Sequence, residues 1–327
     1  MKLGLILTTR CNASCSHCST SCGPRRTESL PRAKIFSLME EAAALAAGQP
    51  LEFPLSGGEP FLDFELLLAI AAYGRQLGAS VTCVTNGYWA SSAVQARQRL
   101  SAVKEAGLAA LAVSTGRFHQ QFVKLERVER VLGAARDVGL RCTLKYVRTG
   151  SDPQDEAAVA AWARAAGADE VQDFSVLPYL SAGARLPEAE YLRSPGLPEG
   201  RCPVPIITVR EDGEAFTCCS PGALTDLLAL GNTQQRSLAQ IHDRYYLGGT
   251  QQLLREHGPV HFARAAQAQG QGHRLREGYA SICDLCAHIA SDPALAQVAA
   301  EVSQDFEQRQ MEALLATLTV SQPPAAG

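Results

Sequence analysis

Between residues 3 and 177, six short apolar runs alternate with five amphipathic stretches. The runs are Leu3–Thr8, Leu51–Leu55, Ser80–Thr85, Leu108–Val113, Leu140–Val147 and Glu170–Val176. The stretches Pro31–Ala47, Phe64–Leu77, Ser92–Ala106, Gln120–Val138 and Pro153–Ala166 space apolar residues three and four apart, as one face of a helix requires. Gly48, Gly78, Gly107, Gly139 and Gly167 close them, where a left-handed residue ends a helix. Strands separated by helices pair in parallel, because each helix returns the chain to the same end of the sheet. Six such repeats suit an α/β fold of the partial (β/α)6, TIM-like kind. A doubly wound open sheet has the same local pattern, and periodicity alone does not separate the two.

After about residue 178 the texture changes. Residues 177–200 carry several prolines and glycines and read as a linker or lid. Residues 207–219 suggest a β-hairpin turning at Asp212-Gly213, and amphipathic stretches follow at Leu238–His257 and Ala294–Leu318. The expected division is a barrel at 1–180, a small C-terminal lobe at 181–320 and a disordered tail at 321–327. The 327 residues, 46% of them hydrophobic, are enough for a full core. A net charge of −3 gives no basic footprint for nucleic acid or anionic membrane. No apolar run is long enough to span a bilayer, and the N-terminus lacks a signal-peptide pattern, so a cytoplasmic location is expected.

The eleven cysteines are unevenly spread. Cys83 and Cys142 lie alone in apolar runs and read as core residues. Cys11, Cys15, Cys18 and Cys22 crowd into twelve residues, and Cys202, Cys218, Cys219, Cys283 and Cys286 lie towards the other end. Clustered thiols in a cytosolic chain point to metal rather than to disulfides. Cys11-x3-Cys15-x2-Cys18 supplies three thiolates, one fewer than structural zinc prefers, and differs from ferredoxin spacing by one residue. Three thiolates on a [4Fe–4S] cube leave one iron open to a small molecule.

The further signals fall at successive strand ends, the rim where barrel sites are built. Ser56-Gly57-Gly58-Glu59-Pro60 follows the second run; its glycines allow a close backbone approach, and Glu59 can accept from an ammonium group. Thr85-Asn86-Gly87 ends the third run, and Ser114 lies in Val-Ser-Thr-Gly-Arg-Phe-His at the end of the fourth.

On the CxxxCxxC loop and the GGEP segment, in this order on successive strand ends, the chain resembles the radical S-adenosylmethionine (SAM) family over roughly residues 3–177. The resemblance implies a partial (β/α)6 barrel with a [4Fe–4S] cluster on Cys11, Cys15 and Cys18. In such enzymes the open iron binds SAM, and one electron cleaves it to methionine and a 5′-deoxyadenosyl radical that abstracts hydrogen. By the same likeness Ser56, Gly57, Gly58 and Glu59 hold the methionine end of SAM. Asn86 and Ser114 face its ribose or carboxylate, Lys145 is a further candidate for the carboxylate, and His17 stacks on adenine. Two positions depart from the family pattern. His17 stands where an aromatic residue is usual before the third cysteine, and Gly116 stands where Asp often follows the fourth-strand serine. Cys22 is an extra thiol near the site, either a bystander or a participant.

Ten residues separate Cys202 from Gly213, four more lead to Cys218, and Cys283 and Cys286 form a CxxC pair. This is similar to the twitch, or truncated SPASM, extension of radical SAM enzymes, and it implies one auxiliary [4Fe–4S] cluster on Cys202, Cys218, Cys283 and Cys286. Structural zinc on the same thiols is the alternative. Cys219 is left over, as a core residue, an alternative ligand or a hydrogen-atom donor; Cys22 is the second donor candidate. Enzymes with such extensions often modify ribosomally made peptides (RiPP precursors), so the expected activity is a C–C or thioether cross-link, or epimerisation. A maturase of a folded protein or small molecule is an alternative, and a non-enzymatic iron–sulfur or zinc redox sensor is another. The expected partners are a precursor peptide and a reductase, flavodoxin or ferredoxin as electron donor. With the first strand starting at Leu3, leader recognition falls to the C-terminal region or to a separate protein.

Overall fold

In the structure, a computed structural model, residues 1–152, 155–177, 185–219 and 225–320 are described. The expected boundary at 180/181, residues 178–184 of the expected linker and the tail 321–327 lie outside the described residues.

Six parallel strands run through the first half: β1 (Leu3–Ile6), β2 (Glu52–Ser56), β3 (Ser80–Thr85), β4 (Leu108–Thr115), β5 (Arg141–Arg148) and β6 (Glu170–Ser175). Between them lie α1 (Arg32–Ala46), α2 (Phe64–Gln76), α3 (Ala93–Ala106), the single turn α4 (Arg117–Gln120), α5 (Leu125–Val138) and α6 (Glu156–Ala166). The helix expected at Gln120–Val138 begins instead at Leu125: Gln120 closes the turn α4, Gln121–Lys124 separate the two, and apolar spacing that continues across the break hides it in the sequence. Side chains of Asp63, Ser92 and Asp155 accept from the free backbone N–H groups of α2, α3 and α6, each cap contributing about 1 kcal/mol. Gly139, at φ 66°, ends α5 in the left-handed region that a side chain would strain.

The strands alternate with a period of two. Val81 and Cys83 of β3, Leu111 and Val113 of β4, and Cys142 and Leu144 of β5 are buried against the helices in the main core. Burying each such aliphatic side chain contributes roughly 2 kcal/mol. The intervening residues, among them Ala112, Ser114, Thr143 and Lys145, are half-buried on the opposite face. That small and polar face is the barrel lumen, and it remains accessible.

Residues beyond 185 do two things. The hairpin expected at Asp212-Gly213 forms after β7 (Ser194–Pro195), from β8 (Ile207–Val209) and β9 (Glu214–Phe216), and β10 (Ala229–Asn232) pairs with β9. β8 lies parallel to β1, so the hairpin extends the barrel sheet to nine strands in the order β10-β9-β8-β1-β2-β3-β4-β5-β6. The rest is helical: α7 (Leu238–Leu247), α8 (Gly249–Glu256), α9 (Val260–Ala268), α10 (Ile282–Ser291) and α11 (Pro293–Val320), with β11 (Gly278–Tyr279) pairing β7. The single stretch expected at Leu238–His257 is broken at Gly248 into α7 and α8, and α9 and α10 were not expected as helices. A second core, including Leu253, Phe262, Tyr279, Leu285 and Leu295, holds these helices together. Among the described residues no helix is long and apolar enough to cross a membrane.

Candidate active site at the barrel mouth

The loop after β1 is closed at its neck. Cys11 N–H donates to Gly23 O and Gly23 N–H to Thr9 O, both at 3.1 Å, while Cys18 N–H folds back on Cys15 O at 3.0 Å. This brings Cys11, Cys15, Cys18 and Cys22 into one small cluster around Ala13. Burial, with mutual repulsion between neighbouring thiolates, pushes Cys15 up to about 12. Burial likewise pushes Cys11 up to about 11. Cys18 is held below the usual thiol range by a hydrogen bond from Cys22, and that bond with burial pushes Cys22 well up. Three cysteines gathered on one loop, their sulfurs met by Ala13 N–H and Asn86 Nδ2 at Cys11 and by Cys22 N–H at Cys18, are a donor set suited to an iron–sulfur cluster, so the residues present fit the group.

The GGEP segment runs backbone to backbone against this loop. Gly58 N–H donates to Thr8 O at 2.6 Å and Glu59 N–H to Arg10 O at 3.0 Å. A Cβ on Gly58 would sit 2.0 Å from Arg10 O and 3.1 Å from Cys11 Cβ, and one on Gly57 2.6 Å from Thr8 O. The glycines are therefore required by contact with the cysteine loop itself. Ser56 is exposed at the end of β2, where its carbonyl accepts from Leu7 N–H at 2.9 Å.

Glu59 is fully buried, and its carboxylate is committed inside the protein. It accepts from Phe61 N–H at 3.1 Å, Thr85 Oγ1 at 2.7 Å and Asn86 N–H at 2.8 Å. Burial outweighs these donors and pushes its pKa up to about 7. Glu59 thus ties the ends of β2 and β3 together, with Trp89 Nε1 bracing Thr85 Oγ1 at 3.0 Å. Asn86 turns towards the cysteine loop, with Nδ2 2.9 Å from Asn12 Oδ1 and 3.7 Å from Cys11 Sγ. In the sequence Thr85 stands out only as the first residue of the strand-end Thr85-Asn86-Gly87, and Trp89 does not stand out.

Ser114 and Lys145 are Cα partners on β4 and β5, with Lys145 opposite Gln172 on β6. Burial pulls the Lys145 ammonium below its usual range, and it lies 5.8 Å from the Phe174 ring centroid. His17 stacks on Phe118 at 5.6 Å and meets His119 edge-on at 4.5 Å. Burial lowers His17 to about 4 and His119 to about 3, so both rings are neutral, and the Nδ1 of each is buried without a hydrogen-bond partner.

Cys202, Cys218, Cys283 and Cys286 line one cavity together with Pro203, Tyr245 and Ile282. Cys283 and Cys286 lie on the first turns of α10, whose N-cap is Ser281. Burial pushes Cys283 up to about 12 and Cys286 higher still. Among the described residues no three Cys, His, Asp or Glu side chains gather tightly enough to hold a single metal ion; the thiols spread around the cavity. Asp284, between the two cysteines, is fully buried and accepts from Arg276 at 2.9 Å, Arg193 at 3.4 Å and Ala280 N–H at 3.0 Å. The segment carrying Arg193 reaches back to the barrel mouth: Gly150 N–H donates to Glu190 O at 2.9 Å, and Arg117 and Ser151 donate to the Glu190 carboxylate. None of these charged residues stood out in the sequence.

Cys219 is exposed, yet its surroundings are dense enough that desolvation raises its thiol, as does Cys202, while the Lys145 ammonium lowers it. It therefore lies within electrostatic reach of both the lumen and the second thiol group.

Residues 5–163 match the Radical SAM superfamily. The chain is 23% identical to YydG of Bacillus subtilis (strain 168), a protein named for peptide biosynthesis, over 302 residues covering 88% of this chain and 91% of that one. It is 29% identical to GTP 3′,8-cyclase of Erythrobacter litoralis (strain HTCC2594) over 182 residues, 51% of this chain and 52% of that enzyme, and so spans about half of its length. Streptococcus suis SuiB bound to S-adenosylmethionine has the same fold, with a TM-score of 0.54 at 12% identity over 74% of this chain and 65% of SuiB. SuiB has also been solved bound to its precursor peptide SuiA, with a TM-score of 0.53, 12% identity and coverage of 74% of this chain and 64% of SuiB. Through residues 5–163 the chain belongs to the radical SAM superfamily, and it is a radical SAM enzyme.

Proposed function

We propose that the enzyme is a peptide maturase that inverts a residue of a ribosomally made peptide, with Cys219 returning the hydrogen atom. The observation that carries this reading is the position of Cys219, an exposed thiol that feels both Lys145 in the lumen and Cys202 of the second thiol group. Cys22, the other donor candidate, is buried and engaged with Cys18. The name of YydG and the binding of a precursor peptide by SuiB support a peptide substrate.

Cys11, Cys15 and Cys18 would hold the cluster. The backbone at Ser56, Gly57 and Gly58 would face the methionine end of SAM, with Ser114 and Lys145 towards its ribose or carboxylate and His17 against its adenine. When bound, the cluster and SAM supply a 5′-deoxyadenosyl radical that removes a hydrogen atom from a substrate C–H bond. Lumen-facing residues hold the peptide so that its radical carbon meets the Cys219 S–H from the opposite side. Cys219 gives up its hydrogen atom, and the thiyl left behind takes one electron from a low-potential donor of the flavodoxin or ferredoxin kind and one proton from solvent. The desolvation that raises the thiol keeps its proton in place near neutral pH. Leader recognition by a separate protein fits this scheme. Net oxidation to a C–C or thioether cross-link is the second reading. The four thiols around one cavity favour it, since an auxiliary [4Fe–4S] cluster there would accept the surplus electron.

The test uses cluster-loaded enzyme, dithionite, SAM and the short peptides encoded beside its gene, incubated without oxygen in deuterated water. Inversion is expected to yield 5′-deoxyadenosine and a peptide carrying one added deuteron, with Cys219→Ala still forming 5′-deoxyadenosine but leaving the peptide unlabelled. A peptide two hydrogens lighter selects the cross-linking reading. Release of 5′-deoxyadenosine no greater than from Cys15→Ala would sink both.

A further inference from the structure

Resting on the radical SAM reading of the cysteine loop, we propose that Asn86 and Cys22 are side-chain hydrogen-bond donors to the ligand sulfurs of Cys11 and Cys18, with Thr20 donating in turn to Cys22. In that role they raise the reduction potential of the iron–sulfur centre those sulfurs hold. They are positioning residues, acting through the ligands.

At Cys11, Sγ receives Ala13 N–H at 3.4 Å and faces Asn86 Nδ2 at 3.7 Å. The orientation of the Asn86 amide is settled by its other contacts. Its Oδ1 accepts from Tyr88 N–H at 2.9 Å, so the opposite orientation would set an NH2 group against an N–H. Nδ2 also donates to Asn12 Oδ1 at 2.9 Å, and the Asn86 backbone N–H is held by Glu59 at 2.8 Å. Only the NH2 group is left to meet the sulfur.

At Cys18, Sγ receives Cys22 N–H at 3.3 Å and lies 3.7 Å from Thr20 Oγ1. The Cys22 side chain is hydrogen-bonded to Cys18, and Thr20 Oγ1 is 3.0 Å from Cys22 Sγ. A ligating thiolate carries no proton, so at these contacts Cys18 can only accept. Cys22 S–H therefore points to Cys18 Sγ as a donor, and the single Thr20 O–H is left for the 3.0 Å contact with Cys22 Sγ. This gives Cys22 a place in the site distinct from hydrogen return to substrate.

A hydrogen bond to a ligand sulfur stabilises the more negative, reduced cluster and moves its potential upward. A low-potential centre that must accept its electron from a cellular carrier gains most from such donors. The backbone donors at Ala13 and Cys22 are lost only on substitution by proline, whereas the Asn86 and Cys22 side chains can be removed with the backbone left intact.

The experiment is an anaerobic redox titration of the cluster-loaded full-length enzyme, followed by EPR on the signal that changes when SAM is added. Cys22→Ala and Asn86→Ala are each expected to titrate at a lower potential than the wild type, and the double variant lower still, with iron content retained. Cys22→Ser, which keeps an O–H donor, is expected to stay near the wild type; a purely structural role would change occupancy without this ordering. A double variant at the wild-type potential with its iron intact overturns the proposal. If Asn86→Ala cannot be loaded, the Cys22→Ala and Cys22→Ser pair decides, and equal potentials overturn it. A wild-type enzyme with no SAM-responsive cluster signal overturns the cluster reading itself, and this inference with it.

Discussion

The backbone N–H of Asn86 donates to the Glu59 carboxylate at 2.8 Å, so the ends of β2 and β3 are held as one unit beside the cysteine loop. Glu59 is buried with an elevated pKa of about 7, against 4.5 for a free glutamate. A carboxyl group whose pKa is raised by folding binds its proton more tightly in the folded state. Its contribution is fully present below about pH 4.5 and is lost as pH rises through about 7. The full difference is on the order of 3 kcal/mol. Relative to Glu59→Gln, the wild type is therefore expected to lose stability between about pH 5 and about pH 8. Urea unfolding of the metal-free forms measures this, and pH profiles that run parallel would refute it.

Gly58 is held against the cysteine loop more tightly than any side chain permits. A Cβ 2.0 Å from Arg10 O must displace the loop, since the obstructing atom is backbone. Gly58→Ala is expected to lose most of its bound iron after anaerobic reconstitution. Gly133→Ala, inside α5 with nothing nearer its Cβ than 3.9 Å, is expected to keep its iron and gain about 0.5–1 kcal/mol. Equal iron content in the two variants would mean that the close approach is not needed.

Part of this arrangement is legible in the sequence. The strand ends that carry Gly58, Asn86 and Ser114 are marked by short apolar runs, and the stretches between them are closed by glycines, so β3 is bounded from sequence at the residues where it occurs. The break between α4 and α5 is hidden because apolar spacing continues through it, and α10 is hidden because its CxxC reads first as a ligand motif. Glu59 shows the deeper limit. As a residue type it suits an ammonium partner, yet its donors arrive only when folding brings Thr85 and the Asn86 amide beside it. Asp284 is similar: Arg193 lies far away in sequence, and no local pattern pairs them.

Asp284 anchors the helix that presents Cys283 and Cys286. Removing it strands Arg276, Arg193 and the Ala280 N–H in a site with no exposed surface on the acid. Asp284→Ala is expected to cost about 3–5 kcal/mol and to loosen the first turns of α10. In a Cys11/Cys15/Cys18 triple-alanine background, iron and sulfide analysis is expected to find a second cluster, and Asp284→Ala to diminish it. Zinc in place of iron and sulfide would instead identify a structural metal site.

The neutral histidine pair makes a pH prediction of the opposite sign. Burial lowers His17 to about 4 and His119 to about 3, both below the 6.5 of a free imidazole. The unfolded chain therefore binds protons that the folded chain refuses, so stability present above about 6.5 is lost as pH falls towards the folded values. At about pH 5 each histidine costs about 2 kcal/mol. Glu59 works against this loss in the same window, which is why the comparison must be between single variants. His119→Phe keeps an aromatic edge against His17 and removes one titrating ring. On acidification from about pH 7 to about pH 5, it is expected to lose about 2 kcal/mol less than the wild type in urea unfolding. An equal loss in both proteins would mean that His119 is protonated in the folded state, and that the edge contact with His17 does not keep its ring neutral.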